Sequence, residues 1–191
     1  MKDVFQKIYL TNKWGSKESK SGKGSELKAT EELRKVLPSI IDTWEIKSVL
    51  DLPCGDYNFM KEVKLNCKYI GADIVPELIA SNSMKYPSVK FQCLNIVTDK
   101  LPKSDLIIVR DCFVHLSIKD IQTALKNVKK SCKYMLVTSF PKTDFNKDIQ
   151  AGGWRPLNME LFPFNLNPIA HILEGDREEK YNDKSMLLIE L

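Results

Sequence analysis

A chain of 191 residues, 43% hydrophobic and 28% charged, has the balance of a water-soluble globular domain with room for one core. Its net charge of +4 comes from one end, because residues 1–30 carry seven lysines and three acids and the remainder balances. The absence of an Arg-rich stripe argues against nucleic acid, and no apolar run approaches the ~20 residues of a membrane span. No apolar leader with a small-residue cleavage site opens the chain, so a cytoplasmic protein is expected. Five cysteines (Cys54, Cys67, Cys93, Cys112, Cys132) lie singly without a C-x-x-C pair and read as free thiols. The two histidines, His115 and His171, sit beside no cysteine pair, which excludes zinc. Acidic small molecules stay open as ligands, since two or three lysines suffice for them.

Residues 3–9 predict a short helix with Val4, Phe5 and Ile8 on one face. Residues 14–25 are too rich in Gly, Ser and Lys for regular structure, and read either as a solvated linker or as an arm that folds back over a ligand. From Ser25 the pattern turns helical, with Leu33, Val36, Leu37, Ile40, Ile41 and Trp44 on one stripe. Pro38 inside that stripe predicts a kink or a fresh helix start.

Short apolar runs then alternate with helical stretches. The runs are 48–52, 68–73, 89–93, 105–110 and 134–140, with helices expected at 58–63, 75–84 and 117–129. Pro76 suits a first helical position, and Ser117 with Asp120 resembles a capping box. Near-continuous apolar strands alternating with helices predict an α/β fold, a parallel sheet covered on both faces. Residues 141–168 are irregular. The strand-like runs 169–173 and 185–191 follow, joined by the charged stretch 174–184, which is too short for a crossover helix, so the two should pair antiparallel.

The segment Val49-Leu-Asp-Leu-Pro-Cys-Gly-Asp-Tyr57 carries the most chemistry. An apolar strand runs into a turn with an acid, a proline, one glycine and a second acid, where open α/β sheets bind nucleotides. A dinucleotide site would want G-x-G-x-x-G; Asp51 and Asp56 would repel a phosphate, so a cationic, phosphate-free ligand fits better. Asp73 closes the next strand, 18 residues after Gly55, near the offset of an acid that binds ribose hydroxyls. Asn95 follows the third strand, able to hydrogen-bond an amine where Asp is more usual.

This series resembles the class I S-adenosylmethionine-dependent methyltransferases: Asp51-Leu-Pro-Cys-Gly55 is similar to their first motif, Asp73 to the second, Asn95-Ile96 to the third and residues 105–111 to the fourth. Pro53 and Tyr57 depart from the usual glycines. The final antiparallel pair agrees with that fold's reversed strand order, a Rossmann-like, seven-stranded, mostly parallel sheet with helices on both faces. The segments Trp14-Gly-Ser-Lys-Glu-Ser, Ser21-Gly-x-Gly-Ser25, Arg110-Asp-Cys-Phe-Val-His-Leu116 and Gly153-Trp-Arg-Pro-Leu-Asn158 narrow the resemblance to a subgroup of small methyltransferases associated with glycosyltransferases in surface-glycan assembly.

The resemblance implies S-adenosylmethionine as cofactor. Asp51 and Gly55 would border its methionine portion, Asp73 take the ribose hydroxyls, Ile74 flank adenine, and Asn95 and Ile96 lie by the adenine edge. Trp14, Ser25, Pro53 and Arg110 complete the implied contacts. Residues 1–24 would form an arm over the cofactor, and 25–191 a single domain.

Methyl transfer to a hydroxyl needs a base within reach of the departing proton. His115 is the better matched by its ordinary pKa of about 6.5, while Asp111 is base, orienter or acceptor ligand. Otherwise His115 packs beneath the helix at Ser117, and Asp111 pairs with Arg110. Trp154, Arg155 and Asn158 lie where substrate loops belong and suit a sugar ring, although Trp154 could merely anchor its loop. Cys112 reads as a small buried residue. Asp111 with Asp144 and Asn146 falls where some methyltransferases hold magnesium, but that spacing is ordinary and no metal is expected.

The leading expectation is an O-methyltransferase acting on a sugar or glycan hydroxyl, possible partners being a glycosyltransferase chain or domain. The rivals are an N-methyltransferase, a nicotinamide-dependent oxidoreductase, opposed by the single-glycine loop, and a non-catalytic domain assisting a glycosyltransferase.

Overall fold

The computed structural model describes residues 1–175 and 179–191. Its elements in chain order are α1 (Lys2–Leu10), α2 (Glu31–Thr43), β1 (Ser48–Asp51), β2 (Lys68–Asp73), α3 (Pro76–Lys85), β3 (Lys90–Cys93), β4 (Ser104–Val109), α4 (Ile118–Lys129), β5 (Cys132–Ser139), β6 (Pro168–Leu173) and β7 (Ser185–Glu190). The seven strands form one sheet in the order β3-β2-β1-β4-β5-β7-β6. β1 to β5 pair in parallel, and β7 runs antiparallel between β5 and β6. The doubly wound α/β arrangement and the antiparallel final pair are as the sequence predicts.

The central strands are apolar on both faces because both are covered. Leu50, Ile107, Val109, Met135, Val137 and Leu187 pack on one side with Ile121, Ala124, Leu125 and Val128 of α4. Their alternate neighbours Val49, Leu106, Ile108, Tyr134, Leu136 and Leu188 pack on the other with Leu33, Leu37 and Ile41 of α2. Ser117 caps α4 as predicted, its hydroxyl accepting the Asp120 N–H at 3.1 Å, a contribution of about 1 kcal/mol.

Three local expectations are corrected. The helical stripe begins later than Ser25: residues Lys23–Ser25 and Leu27–Thr30 form single 3₁₀ turns before α2. Of the two outcomes expected at Pro38, the fresh helix start is not found: α2 runs through it as one helix, with buried Leu33, Leu37 and Ile41 holding both halves on the sheet. The stretch 58–63 contains only the 3₁₀ turn Met60–Glu62. Tyr57 before it takes a left-handed φ of 62°, and the Asn58 amide is bonded to Glu18 and the Ser25 carbonyl, so no helix starts there. Within the charged connection 174–184, residues 176–178 lie outside those described.

Among the described residues no helix is long and apolar enough to cross a membrane.

Candidate active site

A cavity of about 1270 Å³ opens at the carboxyl ends of β1, β2 and β4, where β1 lies between strands whose connections leave in opposite directions. Leu52, Pro53 and Gly55 line it after β1, Asp73, Ile74 and Val75 after β2, Asn95 and Ile96 after β3, and Arg110, Asp111 and Cys112 after β4. Trp14 and residues 20–25 supply a further wall.

At one end, the buried Asp73 carboxylate accepts the Val75 N–H at 3.0 Å and the Gly55 N–H at 3.3 Å. Burial pushes its pKa up to about 6 against those hydrogen bonds, so the group is ionised at neutral pH with an oriented pair of oxygens. Asn95 is turned partly to local use: its side-chain oxygen accepts the Val97 N–H at 2.9 Å. Asp51 does not line the cavity. It is 1% exposed and takes a 2.7 Å hydrogen bond from the Tyr69 hydroxyl, and burial pushes its pKa up to about 7. The expected contact of Asp51 with a cofactor is therefore replaced by a role beneath the loop.

Asp56 holds the N-terminal arm. Its carboxylate accepts the Ser19 hydroxyl and the Lys20 N–H, both at 2.8 Å, and its own N–H donates to the Ser21 hydroxyl at 2.8 Å. Gly22 makes the fold-back possible with φ at 97°; a Cβ there would lie 3.1 Å from that of Trp14. Residues 19–21 are thus hydrogen-bonded to the loop after β1.

Beside this arm four charges interlock. The buried Arg110 donates from Nε to Glu174 at 2.8 Å and lies 3.1 Å from Asp111, while Lys184 lies 2.7 Å from Asp111 and 3.6 Å from Glu174. Burial alone would raise the Asp111 pKa, but Lys184 and Arg110 together hold it well below the carboxylate range. Asp111 is therefore a fixed anion and a weak proton acceptor, which argues against it as the base. The left-handed φ of 49° at Asp111 places its carboxylate against the arm, where a Cβ on Gly24 would lie 2.8 Å from it.

His115, on the turn Phe113–His115, lines the cavity next to Trp14, whose indole stacks on it. Its Nδ1 lies 2.7 Å from the Gly153 carbonyl oxygen. That oxygen can only accept, so Nδ1 carries the proton and Nε2 the lone pair. Desolvation of the ring outweighs the Gly153 hydrogen bond and lowers its pKa. Nearby Cys112 has its thiol pushed up by burial, which removes it as a nucleophile.

Of Trp154, Arg155 and Asn158, the structure brings only Trp154 to the cavity, in a cluster with Phe140 and Tyr181. Arg155 is instead a staple: it donates to the carbonyls of Phe113 (2.7 Å), Leu116 (2.6 Å) and Lys147 (3.0 Å). Asn158 likewise serves its loop, donating to the Pro141 carbonyl at 3.0 Å and accepting the Glu160 N–H. Both lie outside the cavity because their polar groups satisfy buried backbone. The sequence reading missed Glu174, Lys184, Tyr181 and Gly153, all at or beside the cavity. Their signal was faint, since they lie in irregular connections and meet Arg110, Trp154 and His115 only through the fold.

Among the described residues no group of three or more His, Cys, Asp or Glu side chains is placed to hold a metal ion. Asn146 uses its amide to bind the carbonyls of Asn158 and Phe162.

No protein-family model matches the sequence, and no curated protein matches it. Solved structures do match. A methyltransferase dependent on S-adenosylmethionine from Clostridium acetobutylicum superposes with a TM-score of 0.62 at 17% identity, over 84% of this chain and 91% of that one. The N-methyltransferase NodS from Bradyrhizobium japonicum, in complex with S-adenosylhomocysteine, gives 0.69 at 13% identity over 96% and 97%. The fold is that of the S-adenosylmethionine-dependent methyltransferases. Human N-acetylserotonin methyltransferase, with S-adenosylmethionine bound, gives 0.68 at 15% identity over 98% of this chain and 59% of its own. The methyltransferase fold thus serves acceptors of different chemistry, and the acceptor must be argued from the cavity itself.

Proposed function

We propose that this protein is an S-adenosylmethionine-dependent O-methyltransferase whose acceptor is the hydroxyl of a sugar or glycan. The observation that carries this reading is His115, which faces the cavity with Nδ1–H engaged by the Gly153 carbonyl and an Nε2 lone pair available to take a hydroxyl proton.

When bound, S-adenosylmethionine supplies an electrophilic methyl group on a sulfonium centre. The residues present fit it: Asp73 offers two oriented oxygens for ribose hydroxyls, Ile74 and Ile96 offer apolar surface for adenine, and Asn95 has its Nδ2 donor available. Pro53, Gly55 and Arg110 border the amino-acid portion in this reading, with Trp14 and Ser25 of the arm closing over it. The cavity volume exceeds that of a usual single-ligand pocket, leaving space for an acceptor.

On the acceptor side, Trp154 and Tyr181 offer aromatic faces to a sugar ring. Asp111, fixed by Lys184 and Arg110, would accept a hydrogen bond from a neighbouring hydroxyl. His115 would then take the proton at Nε2 as the oxygen gains its methyl group. The glycan assignment and a partnership with a glycosyltransferase rest on the motif resemblance.

The deciding experiment is an acceptor screen with purified protein and S-adenosylmethionine over free sugars, nucleotide sugars and short glycans, read by a mass gain of one methyl group. Methylation at oxygen supports the reading; turnover only on amines would replace it with N-methylation.

A further inference from the structure

Among the described residues, both paired and unpaired charges line the cavity. Arg110 and Lys184 are neutralised by Asp111 and Glu174 through the contacts described above, and Asp73 belongs to the proposed ribose site. Of the other charged side chains lining the cavity, Lys20, Lys23 and Lys28 are cationic. Lys20 lies over the Tyr9 ring, on the segment latched by Asp56. Lys180 lies over the Tyr181 ring at 4.7 Å, beside the aromatic wall.

Lys23 and Lys28 make no ion pair among the described residues, and their backbone is fixed near the four-charge cluster. Gly24, next to Lys23, abuts the Asp111 carboxylate, and the Ala29 carbonyl, next to Lys28, lies 3.5 Å from Arg110 Nη2 as its acceptor. These two lysines therefore flank the end of the cavity where Arg110, Asp111 and Lys184 meet. Lys28 is coupled electrostatically to Glu31 without a direct ion pair, and an anionic substituent on the acceptor meets two flexible ammonium donors on one segment.

We infer that the acceptor is anionic, a sugar bearing a phosphate or a carboxylate, with Lys23 and Lys28 recognising that group. This deepens the sugar O-methylation reading and rests on it for the sugar. The ammonium groups act as point charges on flexible stems, so they would tolerate either anion and favour its encounter at low salt.

The test is calorimetric titration of the protein saturated with S-adenosylhomocysteine at low ionic strength, using glucose, glucose 1-phosphate, glucuronate and inorganic pyrophosphate. Glucose 1-phosphate or glucuronate should bind at least about tenfold more tightly than glucose, and the preferred one identifies the anion. In a Lys23→Gln/Lys28→Gln double variant that advantage should vanish while S-adenosylhomocysteine affinity stays within about twofold, and added salt should erode it in the wild type. Lysine-dependent binding of pyrophosphate without either charged sugar would keep the anion site and overturn the sugar. Equal affinity for glucose and the charged sugars, binding of none of the probes, or a variant that loses S-adenosylhomocysteine instead would overturn the inference.

Discussion

The indole of Trp14 and the imidazole of His115 lie face to face, with centroids 5.1 Å apart and planes 28° from parallel. The arm thereby touches the imidazole that is placed to take a proton from an acceptor. His115→Ala should lower kcat by roughly 10²–10⁴-fold while leaving S-adenosylmethionine affinity unchanged. A base must be unprotonated to act, so activity should rise with pH. Because burial lowers the pKa of His115, the midpoint of that rise should lie below 6.5, and the limb should disappear in the variant. A pH profile of kcat checks both statements.

Asp73 provides the cofactor prediction. Loss of two charge-assisted hydrogen bonds, roughly 1.5–3 kcal/mol each, should weaken S-adenosylmethionine binding by well over tenfold in Asp73→Ala. Calorimetry on a variant whose circular dichroism matches wild type measures this, and unchanged affinity would remove Asp73 from the site.

Arg155 should govern His115 at a distance. Its guanidinium and backbone, together with Gly152, bind the turn that carries His115, with the Arg155 N–H reaching the Val114 carbonyl at 3.2 Å and the Gly152 N–H the His115 carbonyl at 3.0 Å. Arg155→Lys loses the forked contact to the Phe113 and Leu116 carbonyls. Stability should fall by roughly 1–3 kcal/mol, which a purely structural role also predicts. The discriminating readout is the pH profile: a loosened Gly153–Nδ1 bond no longer favours the charged ring, so the acidic limb should move to still lower pH as kcat drops.

Asp51 makes a stability prediction without reference to turnover. Its folded pKa of about 7 lies above the unfolded value near 4, so the folded state binds the extra proton between those limits. Stability from this group is present at low pH and is lost as pH rises through 7. Asp51→Asn keeps an oxygen for the Tyr69 hydroxyl and removes the buried charge. The melting temperature of the variant should exceed that of wild type at pH 8, with the difference shrinking toward pH 5.

The arm prediction rests on Asp56. Deleting residues 1–24, or replacing Asp56 by Ala, should leave the sheet folded and weaken cofactor binding by roughly tenfold as the arm contacts are lost. Normal affinity in both would show that the arm covers nothing the cofactor needs.

Strand periodicity and the acid at each strand end made the sheet and the Asp73 side of the cavity legible, because both depend on local pattern. Asp51 was misread because a carboxylate at a strand end looks the same whether it faces a ligand or the Tyr69 hydroxyl. Arg155 and Asn158 were misread because loop polar side chains serve buried backbone as readily as a substrate, and the carbonyls they meet are set by tertiary structure. Glu174 and Lys184 were invisible because 64 and 74 residues separate them from Arg110, and only the return of β7 beside β5 brings them there.

The latch at Asp56 also divides the molecule into parts of unequal persistence. Strands β4 and β5 are secured by the whole core, whereas Ser19 to Ser21 hang on one carboxylate and its amide. Detachment of that segment requires no strand to separate, so it should occur far more often than global unfolding. Amide hydrogen exchange would register this as weak protection at Lys20 and Asp56 beside strong protection at Ile107 and Leu136. For a ligand held beneath the arm, residence time would then be set by this local opening and not by the stability of the domain.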